Sequence, residues 1–131
     1  MRIAVFFGGL ALAFAAEHPL LTGAWEATGA AGKIEIQQAG DSIQITETEH
    51  DKHTTFECNT VGKTCKIKGG EISFWYNGEK LVMIESMRGS TRVTEKRWSL
   101  SQDGKTLNLE VVHIAPAGSS EKIAYNRRNG S

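Results

Sequence analysis

The 131-residue chain, of 14.3 kDa, has the length of a single domain. Its 15 Lys and Arg balance 15 Asp and Glu, which removes the electrostatic case for a nucleic-acid or anionic-membrane partner. With 40% hydrophobic and 23% charged residues, the composition is that of a globular protein and excludes a disordered one.

The first element is a targeting segment. Met1-Arg2 is a short basic start, and Ile3 to Phe14 then runs without a charge. Twelve apolar residues reach about 18 Å as a helix, too short for the ~30 Å core of a bilayer, so no stable membrane span is expected. Ala13-Phe14-Ala15 has the A-x-A form of a cleavage site. Residues 1–15 are therefore expected to be a signal peptide, residues 16–131 the folded domain, and the location secreted or periplasmic. Without Arg2 the 116-residue remainder carries 14 basic and 15 acidic residues.

After residue 22 no stretch sustains a helical period. Alternating runs recur instead: Gly23–Thr28, Lys33–Gln38, Ser42–Glu49, His53–Cys58 and Thr64–Lys68, then Glu71–Asn77, Lys80–Met87, Thr91–Leu100, Thr106–Ile114 and Glu121–Arg128. Turn residues separate them, the clearest being Asn77-Gly78 and Asp103-Gly104, where glycine supplies positive φ at little cost. Every connection is too short for a parallel crossover. The expected fold is all-β, an antiparallel up-and-down meander closing into a small barrel of about 8–10 strands.

Between the third and fourth runs, Glu47-Thr48-Glu49-His50-Asp51-Lys52-His53 gathers two His among three Glu and Asp. Imidazole and carboxylate are zinc ligand types. His50 and His53 point to opposite faces if the segment is extended and converge only around a turn, so a solvated hairpin tip is the competing reading. Cys58 and Cys65 follow, with six residues between them. An even count after a signal peptide favours a disulfide across a hairpin neck, with free thiols or a metal role as alternatives. C-x-x-C, the redox spacing, is absent.

The hairpin at Asn77-Gly78 is apolar on both sides. Ile72, Phe74 and Tyr76 share one face, and Trp75 lies on the other; Val82 and Ile84 alternate with Leu81 and Met83. A single-layer barrel leaves the outer set for surface exposure, terminus packing, or a partner or homodimer patch around Trp75. Around Asp103-Gly104, opposing Ser101 to Thr106 places Leu100 on Leu107, Trp98 on Leu109, Lys96 on Val111 and Thr94 on His113. The alternation of Leu107, Leu109 and Val111 turns that face inward. The preceding hairpin brings Leu81, Met83 and Glu85 alongside Trp98, Lys96 and Thr94, although the apolar Val82 and Ile84 permit a slip of one residue. The inner face is thus apolar near Asp103-Gly104 and polar at the far end, at Glu85, Lys96 and His113.

If the sheet closes, the last run returns beside the first, and Trp25 meets Arg127 at the base. An indole would fill the taper and a guanidinium would stack on it. Gly23-Ala24-Trp25 followed by that terminal Arg resembles the lipocalin and calycin superfamily, whose first strand carries G-x-W and whose last supplies a basic residue packed on the Trp. The chain departs from that pattern in being short and in showing no helix after the barrel strands. The stretches Phe56–Cys65, Trp75–Gly78 and Leu100–Leu107 also resemble small secreted bacterial lipocalin-like proteins. The resemblance implies a barrel and a compartment, with no assigned activity and no catalytic residues.

The leading functional reading is a secreted or periplasmic, non-enzymatic barrel binding a small, partly apolar ligand. Its ligand-facing set is Glu85, Lys96, Trp98, Leu109 and His113, with no cofactor. An unpaired internal Lys96 is costly, so an anionic headgroup is the expected fit unless Glu85 pairs with it. A barrel of this size holds side chains or one small ligand, rarely both. Two alternatives stand beside it: a protein-binding module, such as an inhibitor or envelope component, and a metal-binding barrel using His50 and His53. A general-base role for His113, with Glu85 as orienter and Ser86 or Ser99 nearby, rests on residue type alone, and no G-x-S-x-G, H-E-x-x-H or phosphate-loop motif accompanies it.

Overall fold

The structure is a computed structural model that describes residues 18–27, 32–116, 118 and 120–128. The expected signal peptide, residues 1–15, and its cleavage point lie outside the described residues. Ten strands follow one another: β1 Gly23–Ala27, β2 Lys33–Ala39, β3 Ser42–Glu49, β4 Lys52–Asn59, β5 Cys65–Ile67, β6 Gly70–Asn77, β7 Lys80–Met87, β8 Val93–Leu100, β9 Thr106–Ala115 and β10 Ser120–Arg127. All pair antiparallel in one sheet of order β4-β3-β2-β1-β10-β9-β8-β7-β6-β5. The sheet curls into a nearly closed barrel, and no helix occurs among the described residues.

Alternation builds the core. In β2 and β3, Ile34, Ile36, Ile43 and Ile45 are buried while their chain neighbours are not. The expected registers hold. Leu100 faces Leu107, Trp98 faces Leu109, Lys96 faces Val111 and Thr94 faces His113. In the neighbouring hairpin Leu81 faces Trp98, Met83 faces Lys96 and Glu85 faces Thr94, so the slip does not occur. A slip would expose Leu81 and Met83, which are fully buried. Val82 goes to the outer face, between Trp75 and Arg97 in the register.

The base is closed around Trp25. Trp25 pairs with Arg127, whose guanidinium lies 4.2 Å from the centre of the indole. The indole N–H donates to the Leu21 carbonyl at 3.0 Å, and the ring is fully buried. Truncating an aromatic ring so placed costs about 3–5 kcal/mol. Gly23 explains the first letter of G-x-W: its φ is 150°, and a Cβ there would stand 2.8 Å from Arg127 Nη1.

Residues 18–22 form a strap across this end, pegged by Gln38. The Gln38 Oε1 accepts from the Leu21 N–H at 2.6 Å and the Thr22 N–H at 3.0 Å. Its Nε2 donates to the Pro19 carbonyl at 3.0 Å and to the Tyr76 hydroxyl at 2.8 Å. His18 stacks on Tyr76, ring centres 4.1 Å apart.

One expectation is corrected. Cys58 and Cys65 are bonded, at a Cα separation of 5.9 Å, but not across the neck of a hairpin. β4 and β5 are the two edges of the sheet and share no ladder. The cause is Asn59, whose Oδ1 accepts from the Val61 and Lys63 N–H groups, both at 3.1 Å, and whose Nδ2 donates to the Lys63 carbonyl at 3.1 Å. This side-chain turn diverts the backbone from a ladder. The loop then reaches β6: Val61 bridges to Trp75, and the Gly62 N–H donates to the Phe74 carbonyl at 2.9 Å. The disulfide therefore staples the barrel seam.

Candidate ligand-binding site

The five expected ligand-facing residues share the inner wall of β7–β9. Trp98 and Leu109 are cross-strand partners, Lys96 is one pleat further along, and Glu85 and His113 flank Thr94 one pleat beyond that. What the sequence did not disclose is the opposite wall. Lys96 Nζ lies 3.3 Å from both Glu47 carboxylate oxygens, an ion pair that spans the interior from β8 to β3. These strands are five places apart in the sheet order. The same ammonium sits 5.3 Å from the Phe56 ring centre. The partner of Lys96 is thus Glu47, not Glu85, and the internal lysine is not left for an anionic headgroup to neutralise. With side-chain exposures of 15% and 24%, the pair is substantially withdrawn from water.

Beside this bridge, at the end remote from Trp25, is a cavity of about 210 Å³. Leu109, Val111 and Ile123 give it an apolar floor, and Glu47, Glu49, Lys96, Glu121 and Tyr125 give it a polar surround. Lys96 and Leu109 line it; Glu85, Trp98 and His113 do not. Glu47 and Glu49 continue the inward alternation of Ile43 and Ile45, and Glu121 continues that of Ile123 and Tyr125. That pattern was the available signal for the missed residues.

Tyr125 reports the electrostatics of the mouth. Burial first, then the carboxylates of Glu47, Glu49 and Glu121, push its phenol up to about 12. Deeper in, Trp98 is fully buried and tilted against Phe74, ring centres 6.1 Å apart. Its indole N–H has no hydrogen-bond partner among the described residues. A buried donor left unpaired costs about 1–3 kcal/mol.

The other sequence candidates separate. His53 Nδ1 hydrogen-bonds to Thr48 Oγ1 at 2.9 Å, and His50 lies in the hairpin turn with φ 52°. No group of three His, Cys, Asp or Glu side chains converges among the described residues. Ser86 and Ser99 lie on the strand face opposite to Glu85 and His113, so the acid–base set is not assembled. Trp75 is half-buried beside Val61 of the β4–β5 loop. Three larger hollows, about 340, 460 and 230 Å³, open on the outer wall between outward-facing side chains such as Arg97 and Lys122, Glu71 and Ser86, or Glu35 and His53. None brings opposing walls together, so the smaller inner cavity is the candidate site.

No family model matches the sequence, and no curated protein matches it. Solved structures do match the fold. Human cRBP IV is 14% identical, with a TM-score of 0.67 over 83% of this chain and 98% of its own. The REP1-NXSQ fatty acid transporter is 12% identical, with a TM-score of 0.70 over 85% and 98%. Lipid binding protein 8 of Caenorhabditis elegans is 7% identical, with a TM-score of 0.69 over 82% and 94%. At these identities the likeness is one of fold alone: a nearly closed, antiparallel up-and-down β-barrel.

Proposed function

We propose that the protein is a secreted or periplasmic, non-enzymatic carrier that binds a small, partly apolar molecule in the mouth of its barrel. The observation that carries this is the 210 Å³ cavity, apolar at Leu109, Val111 and Ile123 and polar at Lys96, Glu47 and Tyr125. A floor without donors or acceptors favours a hydrocarbon part, and the charged surround favours a polar end. A fatty acid transporter and a lipid binding protein share the architecture, which supports the same class of role. The small volume calls for a short ligand rather than a long acyl chain. Deeper inner positions are occupied by packed side chains, Trp98, Leu81 and Leu107 among them.

Isothermal titration with octanol tests the reading. Saturable one-to-one binding is expected in the native protein, and its loss is expected in Val111→Phe, which fills the floor. Overpacking of that kind costs about 1–3 kcal/mol of stability, so circular dichroism should confirm that the variant stays folded. Octanol binding equally well to a folded Val111→Phe would remove the cavity as the site.

A further inference from the structure

We infer that the mouth selects an amphiphile with a cationic, ammonium-type head over one with a carboxylate, an inference that rests on the carrier reading above. The charges around the cavity decide this. Lys96 is the cation on its inner wall, and both oxygens of Glu47 hold it at 3.3 Å while Phe56 lies beneath it. Its charge is committed within the protein. Glu49 on β3 and Glu121 on β10, both solvent-exposed, line the same space, and neither forms an ion pair among the described residues. Lys33 reaches the cavity edge, but its register partner is Thr48 on the outward-facing set. Lys52 stands opposite Glu49 in the register without pairing with it. Glu85 and His113 lie further along the wall and do not line the cavity.

A carboxylate entering this space meets Glu49 and Glu121 and finds Lys96 already bound, with Lys33 at the edge as the one lining cation left to it. An ammonium meets two carboxylates above an apolar floor, where displacement of water strengthens the attraction. The Tyr125 phenol senses the same asymmetry, being raised by Glu47, Glu49 and Glu121 together.

The test is calorimetric titration of the full chain at pH 7 with octylamine, octanol and octanoate, three probes of one chain length. Octylammonium is expected to bind about threefold to fivefold more tightly than octanoate, the size of effect partly exposed charges supply. In Glu49→Gln/Glu121→Gln that ratio should fall toward one, and added salt should shrink it in the native protein. Octanoate binding as tightly as octylammonium, or a ratio unmoved by the double substitution, overturns the headgroup assignment and leaves the carrier reading standing. Failure of all three probes to bind overturns both.

Discussion

At Tyr125 three carboxylates act on one buried phenol, and this residue gives the mouth a measurable signature. Its ionisation is held up to about 12, against the usual 10.0, first by burial and then by Glu47, Glu49 and Glu121. The neutral phenol is the form the fold favours. Its contribution to stability is therefore whole below about pH 10 and is lost as the pH rises toward about 12. Urea midpoints of the native protein should fall more steeply than those of Tyr125→Phe across that window. Parallel curves would mean that the phenol is not held neutral by its surroundings. Trp25 and Arg127 were legible at this scale because a short motif and a terminal arginine sufficed to pair them. Gln38 was not: its place under the strap depends on Tyr76, 38 residues away, and no local pattern marks it.

Among the elements, the strands and the registers of β7, β8 and β9 could be read because each hairpin is a local object. Asp103-Gly104 sets the turn, and alternation sets the face. The seam could not be read that way. Cys58 and Cys65 are close in sequence, which suggests a hairpin neck, yet Asn59 folds the loop onto β6 and leaves β4 and β5 as opposite edges. The disulfide then links edges that no ladder joins. Closing so short a loop is worth about 2.5 kcal/mol by chain entropy. Cys58→Ser/Cys65→Ser is expected to lose about that much in urea unfolding, with faster amide exchange in β4 and β5 than elsewhere in the barrel. Unchanged stability and exchange would show that the Val61–Trp75 bridge suffices to hold the seam.

For the whole molecule, barrel curvature decides which walls face each other, and it turns a half-legible site into a complete one. The wall of Lys96, Trp98 and Leu109 came from consecutive strands and was visible in the sequence. In the sequence Glu47 groups with His50 and His53, because nothing local shows that β3 arrives opposite β8. Closure makes Glu47 the partner of Lys96, gathers Glu121 and Tyr125 around the same space, and reverses the headgroup preference that an unpaired lysine implied. The proposed role requires a ligand in this inner space and not in a groove on the outer wall. Amide chemical shifts of the labelled protein, followed by NMR during titration with octylamine, distinguish the two. Saturable shifts concentrated at Leu109, Val111, Ile123 and Tyr125 are expected; shifts concentrated instead at outward-facing Arg97, Asn108 and Lys122, or none at all, would rule the inner site out.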